Sequence, residues 1–348
     1  MHSVKSISSN SLFILIEKAC KILTYFLVGI VVARQIGPEV FGKYSALLSL
    51  TVIFTAIASS GLNSLLAKEY IVNKDKQKVT TAATFIRAMS SFVCAITLFF
   101  IIFFYFDYGL ALAITSIFIV MMSLTQIIDL YFESALQNIT VSKYKVISYI
   151  IGSMGKLVVA IYFPNVFLLF LAHLIELSIS FSLAILISNK KIKLYQFKNL
   201  DLNYTRELFF KSFPLLLSSI ASILYLKIDQ VFIISMMDTK STGEYAAAVR
   251  LCEGIFIFTA IILPSVFPNL IAKKNISEKI FYIYLKKLVM LLLVIGICMT
   301  LFTSLLSEQI VSFLYGEDYY NSAIILSIYS LSIPIVYVGD LFSRWLVI

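Results

Sequence analysis

Seven ionisable side chains, Lys156, His173, Glu176, Lys227, Asp229, Arg250 and Glu253, lie deep inside long apolar stretches of the chain. A charge at the centre of a bilayer costs roughly 2.5–3.5 kcal/mol on insertion scales, so such groups should face a wet cavity or a partner. Three pairs are spaced to neutralise themselves on one helical face: Glu17 with Lys21, Asp340 with Arg344, and Arg250 with Glu253. Lys156 has no acidic residue three or four positions away, so its partner must come from another helix or from a ligand. His173, Glu176, Asp229 and Glu253 are the candidates for binding a coupling proton or sodium ion, because burial brings carboxylate and imidazole titration toward physiological pH. Asp129 and Glu133, one turn apart near a helix end, read as a solvated terminus. No nucleophile triad, nucleotide-binding glycine loop or metal-ligand cluster appears, so no catalytic or metal residue and no cofactor is expected. The four cysteines, Cys20, Cys94, Cys252 and Cys298, lack any pairing pattern and read as small apolar filler.

The elements that must position these groups are membrane helices. The chain is 60% hydrophobic and 14% charged, against about 45–50% and about 25% for ordinary globular domains, and its mean hydropathy is +0.95. About 20 apolar residues cross about 30 Å of hydrocarbon. On that measure helices are expected near 11 to 33, 43 to 66, 82 to 106, 109 to 133, 145 to 163, 165 to 188, 210 to 237, 242 to 271, 281 to 307 and 321 to 346. The runs are continuous, not alternating, which excludes barrel strands. The fold class is all-α, a polytopic bundle of about ten transmembrane helices.

Basic residues crowd the connections after the second, fourth, sixth and eighth helices, among them Lys74, Lys143, Lys193 and Lys273. Short loops rich in Lys and Arg stay in the cytoplasm, so the amino terminus is expected inside. The net charge of +9 is therefore a topology signal. No connection is long enough to build the basic face that nucleic-acid binding requires. The amino terminus carries no removable signal pattern.

The most charged connection divides six helices from four, giving an amino-terminal lobe over 1–188, a cytoplasmic linker over 189–211 and a second lobe over 212–348. Gly42-Lys43-Tyr44-Ser45-Ala46 is echoed across the divide by Gly243-Glu244-Tyr245-Ala246-Ala247. The second lobe thus reads as a repeat of the first, an arrangement common in transporters. Because the chain stops inside its tenth apolar run, it reads as a truncated or frameshifted form of a twelve-helix protein, with a natural ten-helix form as the alternative. Pro264, Pro268 and Pro334 permit kinks inside spans, and Tyr25, Tyr225 and Tyr337 are candidate sugar-stacking surfaces.

Ala33-Arg34-Gln35-Ile36-Gly37-Pro38-Glu39-Val40-Phe41-Gly42-Lys43-Tyr44-Ser45 resembles a signature of the Wzx-type O-antigen and polysaccharide flippases. Further matches in order are Ser60-Gly61-Leu62-Asn63, Lys227-Ile228-Asp229-Gln230, Gly243 to Leu251, and Leu314 to Tyr319. The family lies within the multidrug, oligosaccharidyl-lipid and polysaccharide exporter superfamily. The resemblance implies a two-lobe transporter alternating between inward-open and outward-open states. It would carry an undecaprenyl-diphosphate-linked oligosaccharide across a bacterial inner membrane for O-antigen or capsule synthesis, among membrane lipids and alongside a polysaccharide polymerase and chain-length regulator. A diphosphate calls for cations, and on that logic Lys18, Lys21, Lys156, Lys227 and Arg250 are the expected substrate-cavity residues. Six cations in the spans face seven anions, which argues against a uniformly cationic cavity. The runner-up is a cation-coupled multidrug exporter of the same superfamily. In a different class stands an integral-membrane polysaccharide polymerase, disfavoured by the short outer connections.

Overall fold

The computed structural model describes residues 4–73, 75–188 and 200–345, and among these every regular element is helical. The helices are α1 (Val4–Ala58), α2 (Leu62–Val72), α3 (Lys76–Phe100), α4 (Leu110–Met121), α5 (Thr125–Ser134), α6 (Asn138–Tyr162), α7 (Val166–Ser188), α8 (Leu202–Met236), α9 (Thr239–Ile276), α10 (Glu278–Leu305), α11 (Ser307–Tyr315), α12 (Tyr320–Tyr329) and α13 (Ile333–Trp345).

Helix α1 has two arms, broken at Gly37, whose φ of 75° and ψ of 167° leave the helical region. Glycine adopts that backbone without a Cβ clash, and Pro38 opens the second arm where its missing N–H costs nothing. A straight helix would separate residues 25 and 41 by about 24 Å. Instead the Arg250 guanidinium lies 4.7 Å from the Tyr25 ring and 5.0 Å from the Phe41 ring, so the chain turns back at Gly37. Among the described residues eight segments are long and apolar enough to cross a membrane, the first being Glu17–Val72. Taking the two arms of α1 separately and including the 38-residue α9 gives about ten passes.

Three aspartates start helices where the sequence changes character: Asp75 accepts from Lys78 N at 3.0 Å, Asp201 from Tyr204 N at 3.0 Å and Asp238 from Ser241 N at 2.6 Å. Each side chain satisfies one of the orphan donors of a first turn. The Lys78 ammonium and the Tyr204 backbone N–H hold the Asp201 carboxyl below its ordinary range. Of the expected linker, 189–199 falls outside the described residues, and Leu202 onward belongs to α8.

Three spans are interrupted midway. The second arm of α1 gives way to α2 through Ser59–Gly61, with Ser60 at φ 52° and Gly61 at φ 67°. A 3₁₀ turn at Met122–Leu124 separates α4 from α5. In the second lobe a 3₁₀ turn at Ser330–Ser332 precedes Pro334 and splits the last span into α12 and α13.

The two lobes, α1–α7 and α8–α13, meet chiefly where α1 lies against α8 and α9. A Cβ on Gly42 would strike the Thr239 carbonyl oxygen, and one on Gly243 would strike the Pro38 carbonyl oxygen. The echoing motifs are therefore the reciprocal contact between the lobes. Lipid is as apolar as a leucine side chain, so helices in a membrane associate through small residues that let backbones approach. Buried Ala46 and Ala247, one turn beyond each glycine, extend the crossing.

Candidate functional site

A cavity of about 680 Å³ lies between the lobes. Its walls are both arms of α1, the α4–α5 break, α6, α7, α8 and α9. Two glycine crossings bracket the stretch from Tyr44 to Ser59 that lines it: Gly42 against α9, and Gly61 against the backbone of Ser212 to Leu216 in α8.

Five cations line the cavity, Lys21, Lys145, Lys156, Lys227 and Arg250, against three carboxylates, Asp129, Glu176 and Glu253. Each carboxylate is taken by one lysine. Lys156 Nζ lies 2.5 Å from Glu176 Oε2, Lys227 Nζ 2.9 Å from Glu253 Oε1, and Lys145 Nζ 2.9 Å from Asp129 Oδ2. Lys21 and Arg250 have no carboxylate partner among the described residues. Arg250 packs under Gly29, a glycine whose Cβ would collide with the guanidinium. Its Nη2 donates to Tyr25 Oη at 3.4 Å, and its guanidinium lies over both the Tyr25 and Phe41 rings. Aromatic faces attract a cation without neutralising it.

Several sequence expectations are redistributed. Glu253 pairs with Lys227 across helices, not with Arg250 three residues before it. Glu17 lies 3.9 Å from Lys145, not against Lys21. Asp340 accepts from Thr259 Oγ1 at 2.5 Å, while the Arg344 side chain falls outside the described residues. Lys18, one turn nearer the start of α1, is exposed and does not line the cavity. Asp229 is held outside the lining by the Tyr245 hydroxyl at 2.5 Å. His173 lines the cavity with Nδ1 3.8 Å from Glu176 Oε2, so Glu176 stands between Lys156 and an imidazole. Asp129 is no solvated terminus: it is 6% exposed, accepts from the Tyr144 hydroxyl and is paired with Lys145. The expected near-balance of charge is corrected as well, because Asp229 and Asp340 belong to the spans yet stay out of the cavity wall.

A family model described as "Polysaccharide biosynthesis protein" matches residues 3–271. The chain belongs to the polysaccharide biosynthesis protein family. No curated protein matches it. Among solved structures it is similar to one titled as lipid II flippase MurJ in an inward closed conformation, with TM-score 0.68, 16% identity, and coverage of 96% of this chain and 74% of that one. It is also similar to an inward-facing multidrug resistance MATE family transporter of the MOP superfamily, with TM-score 0.57, 16% identity, and coverage of 91% and 78%. At this identity the likeness is one of fold: a two-lobe bundle of membrane-spanning helices.

In this polysaccharide biosynthesis protein the aromatic candidates separate by position. Tyr25 lines the cavity, Tyr225 is 81% exposed on the outer face of α8, and Tyr337 is buried with its hydroxyl donating to Ile255 O at 3.0 Å. Four residues were not among the expected site residues: Lys145, taken only as a loop cation, Asn63, read only as part of a family motif, Arg87, set aside as near the inner end of the third helix, and Gln126. Arg87 is fully buried, donating to Asn63 Oδ1 at 2.6 Å, Ser59 O at 3.1 Å and Ser123 O at 3.4 Å. The signal that marks it is an arginine inside an apolar span with no acidic residue within a turn.

Proposed function

We propose that the protein is a flippase that moves an undecaprenyl-diphosphate-linked oligosaccharide repeat unit across the bacterial inner membrane for O-antigen or capsule synthesis. The observation that carries this reading is the pair of cations left over in the interlobe cavity: Arg250 and Lys21 keep their charge available while every carboxylate is occupied by a lysine. A diphosphate is the complementary ligand, since a planar guanidinium meets phosphate oxygens in pairs. Lys156 and Lys227 join the site by exchanging their carboxylates for substrate phosphate.

Glycine crossings at both ends of the cavity suit alternating access, because each lets backbones close tightly at one membrane face and part without breaking a side-chain lock. The concentration of lysines in alternate connections supports a cytoplasmic amino terminus. His173 and Glu176, beside Lys156, are the candidates for ion coupling, with Glu253 in the equivalent role beside Lys227. The two-lobe division is retained as part of this reading, with the second lobe beginning at Leu202, where α8 starts, and not at 212. A polymerase and a chain-length regulator would act on the product at the far side.

Deleting the gene should abolish the surface polysaccharide, and the wild-type copy should restore it. Arg250→Ala and Lys21→Ala copies should restore little at equal protein level. Full restoration by both variants overturns the cation reading, and dye sensitivity with an intact surface polysaccharide favours the drug-exporter alternative.

A further inference from the structure

Two of the membrane spans break inside the cavity wall, and one buried side chain holds both breaks. At Ser59–Gly61 the second arm of α1 stops and α2 begins; at Met122–Leu124 α4 gives way to α5 through a 3₁₀ turn. Ser59, Asn63, Ser123 and Gln126 all line the cavity at these points. Irregular backbone at membrane depth survives where it lines a wet cavity, and in transporters discontinuous helices form the ligand site. Ser60, a non-glycine residue at φ 52°, adds a strained backbone of the kind that concentrates at ligand clamps.

Arg87 gives its guanidinium to two carbonyls at the breaks, Ser59 O, which also accepts from Leu62 N, and Ser123 O, and to Asn63 Oδ1. With its oxygen fixed by a cation, the Asn63 amide must turn its Nδ2 outward, where it donates to Gln126 Oε1 at 3.1 Å. The Gln126 Nε2 donates to no described residue. The pair therefore presents a preset order of donor and acceptor to the cavity, with no net charge. The nearest carboxylate of the wall, Asp129, is already held by Lys145 and Tyr144. Tyr44, close to the Arg250 end, is about 28 Å of helix away from Asn63.

We propose that Asn63 and Gln126, with Arg87 as the residue that positions them, form a carbohydrate-reading subsite separate from the phosphate-binding end at Arg250. Amide groups that both give and accept hydrogen bonds match the hydroxyl and acetamido groups of a neutral sugar. A fixed orientation rejects sugars whose groups are placed otherwise, because a polar group that the bound sugar covers without pairing is costly. The subsite would select the glycan, and Arg250 would hold whatever diphosphate carries it. This rests on the flippase reading above.

The test uses the lipid-linked oligosaccharide extracted from the cells that make it, intact and after glycosidase trimming to its innermost sugar, with binding measured to the full chain in lipid nanodiscs. The wild type should bind the intact lipid more tightly than the trimmed one. Gln126→Ala should raise the half-saturating concentration for the intact lipid roughly three- to tenfold and leave the trimmed lipid unchanged, whereas Arg250→Ala should weaken both. Asn63→Ser, which keeps an acceptor for Arg87, should repeat the Gln126 result, and it decides the matter if Gln126→Ala does not fold. Equal weakening of both lipids by these two variants, or no change in either, overturns the subsite while leaving the flippase reading intact. A wild type that binds neither lipid overturns both.

Discussion

Arg250 keeps its charge because its neighbours are rings. The guanidinium lies over the Tyr25 and Phe41 rings, which attract it without supplying a counter-charge. Arg250→Lys retains the charge and loses the planar fork, so its transport rate into reconstituted vesicles should fall between wild type and Arg250→Ala, with the alanine variant down about tenfold or more. Lys156 and Glu176 are a different case, a pair with side chains 17% and 11% exposed. Removing one partner leaves an uncompensated charge, which costs about 3–5 kcal/mol where burial is complete. Lys156→Met and Glu176→Gln should therefore each lower the melting temperature in detergent, and the double variant should recover most of the loss. Additive losses would show that the two groups do not stabilise one another. That pairing was half legible in the sequence: Lys156 had no partner within a turn, so one had to come from elsewhere. Which carboxylate came was invisible, because Glu176 lies on another helix and only the packing of α6 on α7 brings them together. For Arg250 and Glu253 the three-residue spacing suggested the wrong bond, since Lys227 on α8 reaches the carboxylate and Arg250 points toward Tyr25.

The elements owe their shape to where their regularity ends. Gly37 turns α1 back, Ser59–Gly61 and Met122–Leu124 open the cavity wall, and Arg87 binds two carbonyls at those breaks. Arg87→Met keeps the bulk and removes every donor. Its melting temperature should drop further than that of Arg87→Lys, because the lysine keeps a donor for this site and each buried hydrogen bond lost costs about 0.5–1.5 kcal/mol. At the lobe crossing, a methyl group on either glycine meets a backbone carbonyl that cannot move alone. Gly42→Leu and Gly243→Leu should each hold the lobes apart at that face and stop transport. A spin-label pair across the crossing should report the wider separation, and an unchanged distance would refute the close-approach argument. The start of α8 is tied to the first lobe by Lys78 on Asp201 at 2.8 Å and by the Tyr204 hydroxyl on Glu69 at 3.0 Å. The Asp201 carboxyl titrates below its ordinary value, so this tie is complete above that value and is lost only as pH falls through the lowered one. Lobe distances near α8 should therefore stay flat from pH 8 to about pH 5.

At the scale of the molecule, the two lobes are repeats facing one another, and their contacts come in reciprocal pairs. Gly42 meets Thr239 as Gly243 meets Pro38, and Ser49 donates to Gln230 at 2.7 Å where the corresponding place in the other lobe sets Arg250 against Gly29. Ser49 and Arg250 each lie seven residues after their lobe's glycine, and Gly29 and Gln230 each thirteen before. The pseudo-symmetric position that carries a serine in one lobe carries, in the other, the cavity arginine that has no carboxylate partner among the described residues, so the cavity wall is asymmetric in charge though symmetric in backbone. Exchanging them, Ser49→Arg with Arg250→Ser, should keep the charge in the cavity and restore measurable surface polysaccharide where Arg250→Ser alone does not; failure to restore it would show that the Tyr25 and Phe41 rings are required. By itself the sequence determined the all-helical membrane fold, the spans, their internal repeat and the family motifs, because hydrophobic length and local small-residue patterns are properties of contiguous residues. Only the tertiary structure decided which charges face the cavity, which neutralise one another and which remain free. Those outcomes depend on distances between residues on different helices, and no spacing along one helix encodes them.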